Sequence, residues 1–293
     1  MAILHMSMRH RMNTRRTVLT SLALAATGLL TLGTAHAQSL LDTIQSKKEI
    51  VIGTEAQFAP FEYLENGKIV GYGPDLMKHI LATLPGVAIK QMDVPFQGIL
   101  PGLATKRFDF VVTSVTVTKE RMAKFAFTLP IADATTSLVR RKSDSALTGP
   151  ESLAGKVVGS QSGSAQLKAL QEFSAKLQAA GKSAITVREY TSFDEAYADL
   201  AAKRLDAVAQ SMANLATLTK TRGDVYALVP GAIGPKTYFA WVGRKDAGSA
   251  PLVELFSKGI AEAQRSGKMA ELQQKWFGFT METPTDSVPT PSI

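Results

Sequence analysis

From residue 49 onward, short apolar runs alternate with longer amphipathic stretches. Ile50-Val51-Ile52-Gly53 reads as a strand, residues 74–84 as a helix, 87–94 as a strand, 96–107 as a helix and 108–112 as a strand. The pattern restarts after Gly155, with strands expected at 156–159, 185–189 and 205–209 and helices at 164–180 and 193–204. Alternation of this kind predicts βαβ units, a mainly parallel sheet and an α/β fold. Ser192, followed by Glu195, predicts a capping box at the start of the 193–204 helix. Residues 146–154, with Gly149-Pro150, mark the opening of a second domain. A further β-rich run at 238–242 precedes helices at 251–266 and 268–276. Residues 281–293 hold three prolines and no apolar period, so a disordered tail is expected. No internal repeat of about 20 to 50 residues is visible.

The first 37 residues have a different pattern. Arg9, Arg11, Arg15 and Arg16 precede an uncharged apolar run at residues 18–32 and then Ala35-His36-Ala37. That is the layout of a secretory signal peptide, with cleavage expected after Ala37. A membrane anchor is the alternative, although the run is short for a span. Thr14-Arg15-Arg16-Thr17-Val18-Leu19 also fits a twin-arginine export signal, which leaves the export route open. The expected location is the periplasm.

Composition narrows the function. The length of 293 residues suits two domains, and 45% hydrophobic with 20% charged residues excludes a disordered or fibrous chain. With 0 cysteines, disulfides, thiol nucleophiles, cysteine metal sites and a lipid anchor at the cleavage point are all excluded. The formal charge of +8 owes four arginines to the leader; 29 basic against 25 acidic residues remain beyond it, a net of +4. These charges are interspersed, with no basic stripe, so nucleic acid is not an expected partner. His79 is the one histidine outside the leader and cannot build a metal site alone.

Three segments carry candidate chemistry. In residues 109–121 a buried strand runs into Thr113, Ser114 and Thr116, and Thr118 is placed to cap a short helix holding Arg121. Free backbone N–H groups, hydroxyls and a guanidinium at one helix start suit a carboxylate. Pairing of Arg121 with Glu120 is the plainer alternative. Gly159-Ser160-Gln161-Ser162-Gly163-Ser164 is a small-residue turn entering a long helix, either an anion site or simple connection; it lacks the ending of a phosphate loop. The segment from Glu55 to Tyr63 follows the first strand, where loops line the crevice of open α/β sheets. Phe58 reads as a lid, Glu55 as a polar contact and Phe61 as core.

Gly53-Thr54, Pro60-Phe61-Glu62-Tyr63, Gly71-Tyr72-Gly73-Pro74-Asp75-Leu76, Leu103, Asp109, the run from Thr116 to Arg121 and Lys275-Trp276-Phe277-Gly278 resemble, in this order, the family 3 extracellular solute-binding proteins. These are polar amino-acid receptors of ABC importers. The resemblance spans about residues 47–278. It implies a two-lobed periplasmic binding protein fold with two hinge-crossing strands: lobe 1 at 38–132 and 238–280, lobe 2 at 133–237. It further implies that Arg121 holds the ligand carboxylate with Thr116, Gly163 and Ser164, that Thr113 and Ser114 assist the amine, and that Phe58 lies against the ligand. The acid that in the family pairs with the α-ammonium falls where this chain has Ser211. A serine cannot neutralise a desolvated ammonium, so Glu55 or another acid takes the amine, or the ligand has none.

The expected protein is therefore a monomeric receptor, without cofactor or metal, that closes on a small carboxylate and docks on the permease of an ABC transporter. Two alternatives share the fold. One is a periplasmic enzyme similar to cyclohexadienyl dehydratases, for which Glu55 is the evident cleft acid; the other is a ligand sensor docking on a membrane receptor.

Overall fold

The computed structural model describes residues 38–293; the expected leader and its cleavage after Ala37 lie outside the described residues. The first elements are α1 (Leu40–Lys47), β1 (Glu49–Thr54), β2 (Gln57–Phe58), β3 (Glu62–Glu65), β4 (Lys68–Val70), α2 (Tyr72–Leu81), β5 (Ala88–Asp93), α3 (Phe96–Ala104), β6 (Phe110–Thr116), α4 (Lys119–Lys124) and β7 (Phe125–Asp133). Next come β8 (Thr136–Arg141), β9 (Val157–Gln161), α5 (Ala165–Ala179), β10 (Thr186–Tyr190), α6 (Phe193–Ala201), β11 (Ala207–Ser211), α7 (Met212–Thr221) and β12 (Tyr226–Ala232). The chain then forms β13 (Tyr238–Arg244), α8 (Ala250–Arg265) and α9 (Lys268–Phe277).

Two five-stranded sheets, ordered β5-β1-β6-β13-β7 and β10-β9-β11-β8-β12, define two lobes, and β2, β3 and β4 form a small ribbon beside the first. The chain leaves the first sheet after β7 and returns to it with β13. Each sheet is half parallel and half antiparallel, rather than mainly parallel. Strand β13 arrives from the other lobe and slots between β6 and β7, running opposite to both. All seven residues of β6 are buried, as expected of a strand covered on both faces. Phe110 and Val112 join one core, where the Phe110 ring stacks on Phe256 of α8 at 4.2 Å; Val111 and Val115 join the other with Ile99 and Leu103 of α3.

The lobes repeat one another in detail. Ile52-Gly53-Thr54-Glu55 at the end of β1 corresponds to Val158-Gly159-Ser160-Gln161 in β9. Lys106-Arg107-Phe108-Asp109 before β6 corresponds to Lys203-Arg204-Leu205-Asp206 before β11. The backbone of Asp109 donates to Val51 O and its carboxylate accepts from Val51 N, both at 2.8 Å; Asp206 makes the same pair of bonds with Val157, also at 2.8 Å. A Cβ on Gly53 would lie 2.6 Å from the Phe108 ring, and one on Gly159 2.6 Å from Leu205, so both strands need glycine there. Lys106 and Lys203 both take φ 61°, which ends α3 and α6 earlier than the hydrophobic pattern suggests.

The Ser192 cap is present, its hydroxyl accepting from Glu195 N at 3.3 Å, but the Glu195 carboxylate accepts from Thr191 N rather than closing the box. Residues 281–293 have no helix or strand, yet they differ from the expected disordered tail. Gln264 Nε2 donates to Thr283 Oγ1 at 2.9 Å, Val288 packs on the first lobe, and Lys119 N donates to Ile293 O at 2.8 Å. Among the described residues no group of three or more His, Asp or Glu stands close enough to hold a metal ion.

Candidate ligand-binding site

The ends of β1, β6, β9 and β11 meet where the lobes face each other, as loops at the carboxyl ends of parallel strands do. In the first lobe, β6 ends at Thr116 and the hydroxyl of Thr118 accepts from Arg121 N at 3.2 Å, capping α4 and fixing the arginine. The Arg121 guanidinium donates to Thr116 O at 3.0 Å, reaches across to donate to Gly163 O at 2.9 Å, and lies 5.5 Å from the Phe96 ring centre. Burial pushes its pKa down to about 10, opposed by the charge of Glu120. The guanidinium remains charged at neutral pH and is short of an anionic partner. A groove of about 610 Å³ opens here, with Phe96, Gln97, Arg121, Gly163, Ser164 and Lys168 among its walls. That volume is in the range of small-molecule sites.

Glu55, directly after β1, is buried, and its carboxylate accepts from Gln161 Nε2 of the second lobe. Burial pushes its pKa up to about 8; the Gln161 bond opposes this, while the charges of Asp93 and Asp194 add to it. A small cavity of about 60 Å³ lies between Glu55, Gln57, Asp93, Pro95 and Thr191. Behind Glu55, the fully buried Glu62 accepts from Thr113 Oγ1 at 3.4 Å and from Ser114 Oγ at 3.3 Å. Its pKa is raised well above the usual range by burial and by Glu55.

Two further contacts close the cleft. Phe58 is buried and its ring lies 5.8 Å from Phe193 of the other lobe and 5.7 Å from Phe61. Asn214 Nδ2 on α7 donates to Ala59 O at 2.8 Å. A larger hollow of about 950 Å³ on the first lobe, between α2 and α8, has no residue from the second lobe and none of the groups above.

The model of the bacterial extracellular solute-binding proteins, family 3, matches residues 50–279. The chain belongs to this family. The L-arginine-binding protein of Pseudomonas aeruginosa is 31% identical over 246 residues, 82% of this chain and 92% of the relative. The amino acid ABC transporter substrate-binding protein AbpA of Streptococcus pneumoniae, solved bound to L-arginine, is 27% identical with a TM-score of 0.72, covering 83% of this chain and 100% of that one. The ancestral amino acid-binding protein AncCDT-1, described as a precursor of cyclohexadienyl dehydratase, is 26% identical with a TM-score of 0.73, covering 82% and 100%. This protein is thus a solute-binding receptor of two α/β lobes.

Of the residues expected at the site, Arg121, Gly163 and Ser164 line the groove and Thr116 gives its carbonyl to Arg121, whereas Glu55 lines the separate small cavity and Phe58 packs among Phe61, Phe193 and Phe239. Ser164 caps α5, its hydroxyl accepting from Leu167 N at 3.0 Å. Thr113 and Ser114 are buried, and their hydroxyls donate to Glu62 rather than standing free for a ligand amine. Ser211 departs most from its expected role. It is fully buried at the start of α7, accepts from Asn214 N at 3.3 Å and donates to Asn214 Oδ1, which leaves no free hydrogen for a ligand. Sequence reasoning missed Gln161 and Asn214 as residues joining the lobes, Phe96 beneath the guanidinium, and Asp93 and Asp194 around Glu55. For Gln161 a signal exists, since it ends a strand as Glu55 does in the matching run of the first lobe.

Proposed function

We propose that the protein is a periplasmic receptor that captures a polar amino acid by its carboxylate, closes its lobes on it and delivers it to the permease of an ABC importer. The observation that carries this reading is the Arg121 guanidinium, fixed on a capped helix at the groove between the lobes and without an acid to neutralise it. A ligand carboxylate would give the guanidinium an anionic, bidentate partner, where its present acceptors, Thr116 O and Gly163 O, are neutral carbonyls. Contacts from both lobes to one ligand favour the closed form, which is the form a permease can distinguish. The arginine named for two relatives makes it the first ligand to test.

A thermal-shift panel of cationic, amide and acidic L-amino acids tests this reading. At 100 times Kd a ligand of the native state adds about 2.7 kcal/mol, and at about 2–4 °C per kcal/mol for a chain of this size the shift is several degrees. Failure of the whole panel removes the reading. Loss of radiolabelled uptake on deletion of the gene, with the permease intact, tests delivery.

The protonated Glu55 favours a second reading, since a buried neutral acid in a cleft is what a general acid requires. A cyclohexadienyl carboxylate incubated with the protein distinguishes the two. Binding without turnover fits the receptor, and turnover lost in Glu55→Gln fits the enzyme.

A further inference from the structure

The lobes are joined by two short crossings that run side by side. On the first-lobe side Ala134 N donates to Thr237 O at 2.8 Å, and on the second-lobe side Ile233 N donates to Thr136 O at 2.9 Å. Residues 134–136 and 233–237 therefore absorb the backbone rotation in any change of the angle between the lobes. Lys236 lies in the second crossing, and its Nζ stands 3.8 Å from Asp133 Oδ2 at the start of the first.

The segment beyond α9 runs back to this point. Val288 packs with the first-lobe core that holds Ile99, Val117 and Phe127. Residues 289–292 then lie along Val117, Lys236, Thr237 and Tyr238, leaving a gap of only about 20 Å³. Ser292 Oγ donates to Lys236 O at 2.9 Å, and Lys119 N, the first amide of α4, donates to Ile293 O at 2.8 Å. One short stretch thus ties the hinge to the helix that carries Arg121. Pro289 and Pro291 have a fixed φ, so the stretch loses less conformational freedom on docking than an ordinary tail would.

The crossing is seen here with the lobes together, as the bonds of Gln161 to Glu55, Arg121 to Gly163 and Asn214 to Ala59 show. Opening would turn the Lys236 carbonyl relative to the first lobe, where Val288 and Ile293 anchor the stretch, so the Ser292 bond fits the closed arrangement and not the open one.

We propose that residues 288–293 are a hinge strap that favours the closed arrangement of the unliganded protein. The lobe equilibrium is then set partly by a segment outside the cleft, and the strap acts on every ligand alike, because apparent affinity scales with the fraction of molecules in the binding-competent state.

The sequence has 0 cysteines, so Lys90→Cys on the first lobe and Gln178→Cys on the second, both at exposed positions, take spin labels at those two sites alone. Pulsed dipolar spectroscopy of the doubly labelled, unliganded protein reads the closed and open populations. The full chain is expected to show a closed population at the distance of this structure. Ser292→Ala should lower the closed-to-open ratio about twofold or more, and a chain ended at Ser287 about fivefold or more, the equivalent of a net hydrogen bond lost. A full chain that is wholly open overturns the proposal. So does an unchanged ratio in Ser292→Ala, which decides the matter should the shortened chain not fold. A lower unfolding midpoint with an unchanged ratio makes the segment a brace of the first lobe alone and also overturns it. The distances are read without ligand, so they stand even if no amino acid binds and the receptor reading fails.

Discussion

Glu55 and Gln161 hold the same place in the two sheets, each at the end of a strand that runs apolar-Gly-hydroxyl before it, and they hydrogen-bond to each other across the cleft. One lobe presents an acid and the other its amide counterpart, so the closed form brings together no two like charges at this point.

That relationship gives the first prediction. Gln161→Glu sets a second carboxylate against Glu55, and like charges in such contact cost several kcal/mol. The unliganded variant should be open at pH 8 and closed at pH 5, where both acids are protonated. Small-angle scattering reads this as a larger radius of gyration at the higher pH alone.

Binding of a cationic ligand should depend on pH through Glu55. Its pKa of about 8 means that it is mostly neutral at pH 7, because burial disfavours the charged form and the charges of Asp93 and Asp194 add to this. Arg222 faces Asp194 from α7, lowering the pKa of that acid against its burial. A ligand cation requires the carboxylate, so binding releases a proton. Affinity should therefore rise from pH 6 to 8 by up to about tenfold per unit. Titration in buffers of different ionisation enthalpy counts the protons released, and Glu55→Gln should release none.

Loss of the guanidinium should remove carboxylate binding. Truncating one partner of a buried charge pair costs about 2–5 kcal/mol, so Arg121→Ala is expected to weaken binding by about thirtyfold or more. Arg121→Lys keeps the charge but not the fork that reaches Thr116 O and Gly163 O together, and should fall between the two. Calorimetry on the three proteins decides the order.

Asn214 acts at a distance from the ligand. Its side chain ties α7 to Ala59 O of the other lobe and also holds Ser211. Asn214→Ala should lose about 1 kcal/mol of closure, seen as a fivefold rise in Kd shared equally by all ligands. A loss confined to one ligand would place Asn214 in the ligand's own contacts instead.

Glu62 is predicted to be a neutral acid in the folded protein. An acid whose pKa is raised by folding contributes fully below its unfolded value, near 4.5, and destabilises increasingly as pH rises above it. Glu62→Gln should therefore match the parent at pH 4 and exceed it in urea denaturation at pH 8. Glu62→Ala, which leaves the Thr113 and Ser114 hydroxyls without their acceptor, should cost about 1–3 kcal/mol at pH 4 and less at pH 8, where it also removes the cost of keeping the acid protonated.

The sequence alone determined the α/β alternation, a buried strand over residues 108–112 running into hydroxyl-bearing residues, and the Thr118 cap that sets Arg121 at a helix start. These depend on apolar periodicity and on hydrogen bonds between residues a few positions apart, which a linear reading contains. It also marked Glu55 and Phe58 as cleft residues, because loops after parallel strands line the crevice wherever the sheet is open. What tertiary structure decided is which groups meet. Whether the Ser211 hydroxyl faces a ligand or Asn214, and whether Thr113 and Ser114 face the amine or Glu62, depends on side chains that fold onto them from distant segments. Residues 281–293 have no periodicity of their own, and their place was decided by donors and acceptors that Gln264, Gln273, Lys119 and Lys236 supply from elsewhere in the chain. The pairing of Glu55 with Gln161 spans 106 residues and exists only because two lobes of matching construction face each other, a relation that no local pattern records.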